Sequence, residues 1–265
     1  MKDVVQPAPG RRSREGCTTP SGNRTLLVFT RSPKAEARAK QLPLEPGTRL
    51  FEAFLRSWRR RAMDASADLT VVAPPSSVAE LQRLLPGDCV VPQEGASFGA
   101  RVEFAFALAF RGGADTVLMV SGDSAPLEPE EVNEAFAHLE GNSRAMALAP
   151  ARDGGVNAIG FGANAARPLA CLPWLSPLIC GQLKLLAERL GLAVLLTRPG
   201  NDLDCAQDVR ALYSLSLIDR RWIPFRSLLH SLCHPLRAAA RHAASPQSRW
   251  RAGASVTRGP PVFVS

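Results

Sequence analysis

The chain has no pair of cysteines at Cys-x-x-Cys spacing: its six (Cys17, Cys89, Cys171, Cys180, Cys205 and Cys233) are scattered. That argues against a zinc cluster and against a disulfide framework, and fits reduced thiols in a cytoplasmic protein. No apolar signal region opens the sequence, since Met1–Arg24 is rich in proline, glycine, serine and arginine. No apolar run approaches the roughly 20 residues needed to span a bilayer. No internal repeat is found, which removes repeat architectures. The last stretch, 220–265, lacks both lysine and acidic residues but carries eight arginines.

The charge is therefore uneven. The chain has a net charge of +8, yet residues 25–219 hold 19 basic against 22 acidic side chains. The basic excess belongs to the two ends, so it is poor evidence that the central unit binds nucleic acid. Residues 1–24 read as a disordered leader, 25–219 as one domain, and 220–265 as a basic amphipathic helix with a flexible tail. In that last segment Phe225, Leu228, Leu229, Leu232 and Leu236 form an apolar stripe, with Arg226, His230, His234, Arg237 and Arg241 on another face. Such a helix either packs on its own domain, the favoured reading, or lies on an anionic membrane surface.

Apolar strand-like runs alternate with helical periodicity throughout the central unit. Strands are expected at 25–30, 69–73, 89–92, 116–120, 145–149, 156–161 and 192–197. Helices are expected at 48–64 with Thr48 as cap, 77–85, 97–110, 129–139, 177–190 and 206–215. Residues 31–46, broken by Pro33, Pro43 and Pro46, read as a basic loop. Alternation of this kind implies an α/β fold with a mostly parallel, Rossmann-like central sheet and helices on both faces.

Three acidic turns end or interrupt strands: Asp123, Asp153 in Asp153-Gly154-Gly155, and the pair Asp202/Asp204. In a parallel sheet such turns share one edge, where ligands bind. Carboxylates gathered there repel one another unless a cation joins them, and Mg²⁺ or Mn²⁺ suits an all-oxygen set. Gly154 and Gly155 permit close backbone approach. Arg31, Lys34 and Lys40, with Arg38, supply opposite charge for a diphosphate. Each piece alone has a plainer explanation: a turn aspartate, a tight Asp-Gly-Gly turn, Asp204 as a helix cap, a solvated basic loop. Their order along one chain favours a phosphate and metal site.

These residues resemble the nucleotide-diphospho-sugar transferase superfamily, the glycosyltransferase-A fold, and in particular bacterial glycosyltransferase-like proteins related to 2-phospho-lactate and molybdenum-cofactor guanylyltransferases. The resemblance covers about 26–212. It rests on Pro150-x-x-Asp153-Gly154-Gly155 followed by Ile159-Gly160-Phe161, on Gln93, Gly95, Phe98, Gly99 and Arg101, on Gly122-Asp123-Ser124, on Pro173-Trp174-Leu175-Ser176, and on Asp202-Leu203-Asp204. It implies that Asp123 and Asp204, with Asp202, face the metal, and that Lys40 is the phosphate-binding lysine. The first loop departs from the family: Glu36-Ala37-Arg38-Ala39-Lys40-Gln41-Leu42 lacks the usual glycine and Thr-Arg pair.

The resulting expectation is a metal-dependent transferase using a nucleotide-activated donor, a nucleotide sugar first. Asp153 serves as base or holds the glycine turn, and Asn157 and Trp174 line an acceptor pocket. The alternatives are a nucleotidyltransferase that takes a nucleoside triphosphate and releases pyrophosphate, and a degenerate module that binds a nucleotide without turnover.

Overall fold

The computed structural model describes residues 23–165 and 168–233. The expected leader, apart from its last two residues, and the tail from His234 onward lie outside the described residues. So do Leu236, Arg237 and Arg241 of the amphipathic pattern.

Seven strands form one sheet in the order β3-β2-β1-β4-β6-β5-β7. They are β1 (Arg24–Phe29), β2 (Asp68–Ala73), β3 (Cys89–Pro92), β4 (Thr116–Ser121), β5 (Ala145–Pro150), β6 (Val156–Gly162) and β7 (Ala193–Leu196). Only β6 runs antiparallel to its neighbours, β4 and β5. The Asp-Gly-Gly segment is thus a hairpin turn, and it sits on the edge that carries the carboxyl ends of the other strands. The expected α/β architecture, mostly parallel with helices on both faces, is the one present.

Alternation within the strands divides the core in two. Leu26, Val28 and Leu118 face one side with Leu55 and Trp58 of α2 (Leu44–Asp64), Leu81 of α3 (Pro75–Leu84) and Phe136 of α5 (Pro129–Gly141). Leu27, Val117 and Met119 face the other side with Val102 and Phe106 of α4 (Phe98–Arg111) and Leu183 of α6 (Ile179–Leu190). Both faces of a mostly parallel sheet are thereby covered, so its strands read as continuous apolar runs.

A third cluster explains the C-terminal stripe. Leu50, Phe51 and Phe54, on the far side of α2, pack with Val209 and Leu212 of α7 (Asp208–Leu215) and with Trp222, Phe225, Leu229 and Leu232. The Phe54 ring meets Trp222 at 5.9 Å and Phe225 at 4.7 Å, both edge-on. Over the described residues the apolar face of helical residues 226–233 is spent on its own domain. Among the described residues, no helix is long and apolar enough to cross a membrane.

Two expectations for the first connection are corrected. The stretch after β1 is not a loop: Ser32 accepts from the Ala35 amide and caps a short helix, α1 (Pro33–Ala39), with proline in its first turn. The next helix begins at Leu44 rather than at a Thr48 cap. Pro46 is tolerated there because first-turn amides have no intrahelical partner. The Thr48 hydroxyl instead bonds the Leu44 carbonyl at 2.6 Å.

Candidate functional site

Four loops meet at the carboxyl edge of the sheet around its middle strand, β4. Gly122 follows β4 and its amide bonds the Phe29 carbonyl, so Asp123 emerges beside the end of β1. The segment after β7 returns to the same place. Gly200 donates to the Pro150 carbonyl at 2.9 Å and accepts from the Arg152 amide at 3.0 Å, prolonging β5. Asp202 then forms an antiparallel bridge with Ser124. These backbone bonds bring Asp202 and Asp204 between the Asp123 loop and the Asp153 turn.

The Asp153 turn is fixed by its own chemistry. Asp153 Oδ1 accepts from the Gly155 amide at 2.8 Å. Gly154 adopts φ +94°, and a Cβ on it would lie 2.1 Å from the Pro177 carbonyl oxygen. Only glycine satisfies both conditions. The turn thereby packs against the start of α6, and the Cys180 amide bonds the Gly154 carbonyl.

Lys40 closes α1 and is only 2 % exposed. Its ammonium donates to Asp123 Oδ2 at 2.7 Å and to Asp204 Oδ1 at 3.1 Å. Burial opposes the charge on Lys40, but Asp123, Glu36 and Asp204 outweigh it and hold the ammonium above its ordinary range. Burial likewise opposes the charge on Asp123, yet Lys40, the Ser121 hydroxyl and Arg31 hold its carboxyl below the usual range. Asp202 behaves oppositely. Burial first, then repulsion from Asp123, Asp204 and Asp153, pushes its carboxyl well above the ordinary value. Asp204 is raised by burial, with Lys40 working against that rise and Asp123 and Asp153 adding to it.

Oxygens of Asp153, Asp202 and Asp204 lie within 4.8 Å of one another. Among the described residues, the carboxylates spaced to hold one ion are therefore this triad, which includes Asp153 and not Asp123. Asp123 and Asp204 do converge, as the shared-cation idea requires, but the cation between them is the Lys40 ammonium. Asp202 Oδ1 is buried with no hydrogen-bond partner. Asp204 is not the helix cap the pattern suggested. Asp208 accepts from the backbone amides of Asp204 and Cys205 and so holds the Asp202–Asp204 loop from below.

A cleft of about 190 Å³ runs from Lys40 and Asp123 past Asn157 to Trp174. Arg31 lines it, paired bidentately with Glu36 at 2.9 and 2.7 Å. Gly155, Asn157 and Trp174 line it too. Lys34 does not: it is exposed on α1, and its backbone amide meets Glu80 of α3. Asp153 lines a second hollow of about 170 Å³, which shares Asp202 and Asp204 as a wall with the first. Glu36, buried at 4 % exposure and acting on both Arg31 and Lys40, was not singled out from the sequence. Its spacing, four residues before Lys40 on one helix, was the available signal.

This topology has counterparts among solved structures. A protein from Desulfovibrio desulfuricans G20, described provisionally as a nucleotide-diphospho-sugar transferase, superposes with a TM-score of 0.70 at 23 % identity, over 81 % of this chain and 97 % of its own. The fold is that of the nucleotide-diphospho-sugar transferases. CMP:2-keto-3-deoxy-manno-octonic acid synthetase complexed with CTP superposes at 0.50 with 11 % identity, over 74 % of this chain and 98 % of its own. A 4-diphosphocytidyl-2C-methyl-D-erythritol synthase also superposes at 0.50, with 17 % identity, over 80 % of this chain and 100 % of its own. Residues 57–176 match the family described as "Uncharacterized protein conserved in bacteria (DUF2064)". Among curated proteins, none matches.

Proposed function

We propose that the chain is a divalent-metal-dependent transferase that uses a nucleotide-activated donor, a glycosyltransferase-like enzyme of the cytoplasm. The observation that carries this reading is the convergence of Asp123, Asp153, Asp202 and Asp204 from distant segments beside one buried lysine at the sheet's carboxyl edge.

Charge supports a metal there. Lys40 offsets only part of four neighbouring carboxylates, and Arg31 is already engaged by Glu36. Asp202 has a buried oxygen without a partner. An all-carboxylate donor set suits a hard ion, so Asp153, Asp202 and Asp204 would hold Mg²⁺ or Mn²⁺ with diphosphate oxygens and water completing the shell. When bound, such an ion supplies Lewis-acid stabilisation of the departing diphosphate.

The remaining roles fall to side chains. Lys40, locked in its charged form, faces the developing charge on the leaving group, with Arg31 behind it. An acceptor hydroxyl oxygen forms a bond to the donor's anomeric carbon while the bond from that carbon to phosphate oxygen breaks. The electron pair leaves with the nucleoside diphosphate, and the hydroxyl proton passes through water to solvent. Asp153, committed through one oxygen to the Gly155 amide, holds the turn and offers its other oxygen to the ion.

One fold neighbour binds CTP, which favours a second reading. In nucleotidyl transfer an acceptor oxygen attacks the α-phosphate of a nucleoside triphosphate and pyrophosphate leaves. A thermal-shift screen of nucleotide sugars and nucleoside triphosphates, each with and without Mg²⁺ or Mn²⁺, tests the common core. Stabilisation that needs nucleotide and metal together is expected. Release of nucleoside diphosphate then supports glycosyl transfer, and release of pyrophosphate the second reading. Nucleotide binding indifferent to metal and to Asp202→Asn would leave only the non-catalytic module.

A further inference from the structure

The cleft follows the carboxyl edge of the sheet from β3 to β6. Four strand spacings separate those two, roughly 19 Å at the usual interval. Asp123, after β4, lies between the two ends. At one end are Gln93 after β3 and Arg31 after β1; at the other are Val156 and Asn157 of β6 with Trp174, Leu175 and Ile179. The two ends differ in charge. Among the described residues that line the cleft, Arg31 and Lys40 are the cations, and both are already paired with carboxylates. The β6 end contributes none.

That end is instead built for a neutral ligand with an apolar face. Trp174 is anchored by its indole N–H to the Leu169 carbonyl at 2.7 Å and meets the Phe98 ring at 6.0 Å with a 45° tilt. A fixed ring wedge of this kind gains contact area with little loss of side-chain freedom. Asn157 is 6 % exposed and lines the same space. Its amide nitrogen lies against Gly200, where a Cβ would fall 2.3 Å away, and its Oδ1 is buried without a partner. A buried acceptor left open costs stability unless a ligand donor or water meets it.

We infer that the β6 end of the cleft binds the acceptor, and that the acceptor is an uncharged hydroxyl compound with an aromatic or alkyl body. Its body lies against Trp174 and Val156, and a hydroxyl donates to Asn157. Phosphorylated and carboxylated acceptors are disfavoured there, because among the described residues no cation lines that end of the cleft. The inference rests on the transferase reading above, whose metal- and nucleotide-dependent stabilisation is measured separately and can survive its failure.

Ligand-observed NMR titration of the full chain with 2-phenylethanol, phenyl phosphate and 3-phenylpropanoate tests it. The alcohol should bind at least about tenfold more tightly than either anion. Trp174→Leu should weaken the alcohol by roughly three- to tenfold through lost ring contact. Leu175, 41 % exposed at the mouth of the cleft, tolerates a longer polar side chain. Leu175→Lys should therefore admit phenyl phosphate, narrowing its gap from the alcohol to about threefold. Tighter binding of an anion than of the alcohol by the unmodified chain overturns the inference. So does absence of binding by all three compounds, or no response of phenyl phosphate in a folded Leu175→Lys protein.

Discussion

Replacing Asp202 with asparagine isolates the strain built into the carboxylate group. The substitution keeps the shape of the side chain and removes one charge. Two like charges 4.8 Å apart, the outer limit for this triad, repel by roughly 3 kcal/mol at an effective dielectric of 20. Asp204 and Asp153 are exposed, so solvent screening reduces the relief to about 1–2 kcal/mol. Without metal, Asp202→Asn should therefore raise Tm, by about 2–8 °C for a chain of this size. With Mg²⁺ or Mn²⁺ and nucleotide, the order should reverse, because only the unmodified chain gains binding energy. The same argument fixes the pH dependence. A carboxyl whose folded value is raised binds a proton more readily in the folded state. Through Asp202 and Asp204, metal-free stability should thus be lost as pH rises from the ordinary carboxyl range toward neutrality, and Asp202→Asn should flatten that slope. Differential scanning calorimetry across that range reads both effects. A metal-free Asp202→Asn protein less stable than the unmodified chain, still stabilised by metal, refutes the reasoning.

Lys40→Met leaves Asp123 as a part-buried carboxylate without its ammonium; urea unfolding should show a loss of about 3 kcal/mol or more, with nucleotide-dependent stabilisation abolished. Gly154→Ala meets both an unfavourable φ and the Pro177 carbonyl, so it should cost about 2–3 kcal/mol in the same assay and weaken metal binding by displacing the Asp153 turn. Arg221, 6 % exposed, joins Glu131 of α5 to the Arg198 carbonyl ahead of the Asp202–Asp204 loop. Arg221→Met should destabilise the chain by about 2–4 kcal/mol, whereas Arg220→Met at an exposed neighbouring position should change little.

The strands and most helices were legible because burial on both faces leaves uninterrupted apolar runs, as in Val117-Leu118-Met119-Val120. The acidic turns were legible because strands of a mostly parallel sheet deliver their carboxyl ends to one edge. The stretch 31–46 was not, since Pro33 and Pro46 look like breakers in sequence but stand in first turns, where a missing amide costs nothing. The identity of the cation between Asp123 and Asp204 was equally hidden. Lys40 reaches them only because α1 forms and ends beside β4, a consequence of packing that spacing along the chain does not encode. Arg221 escaped notice for a related reason: within an arginine-rich tail it looked solvated, yet Trp222 and Phe225 bury the segment against α2.

The central claim is that carboxylates from separate loops share one divalent ion beside a diphosphate. Electron paramagnetic resonance titration of Mn²⁺ into the full chain with a nucleoside diphosphate counts that ion directly. One Mn²⁺ per chain, its signal altered by the diphosphate and lost in Asp202→Asn, is the predicted result. Mn²⁺ uptake that Asp202→Asn leaves unchanged, or no uptake at all, contradicts the account.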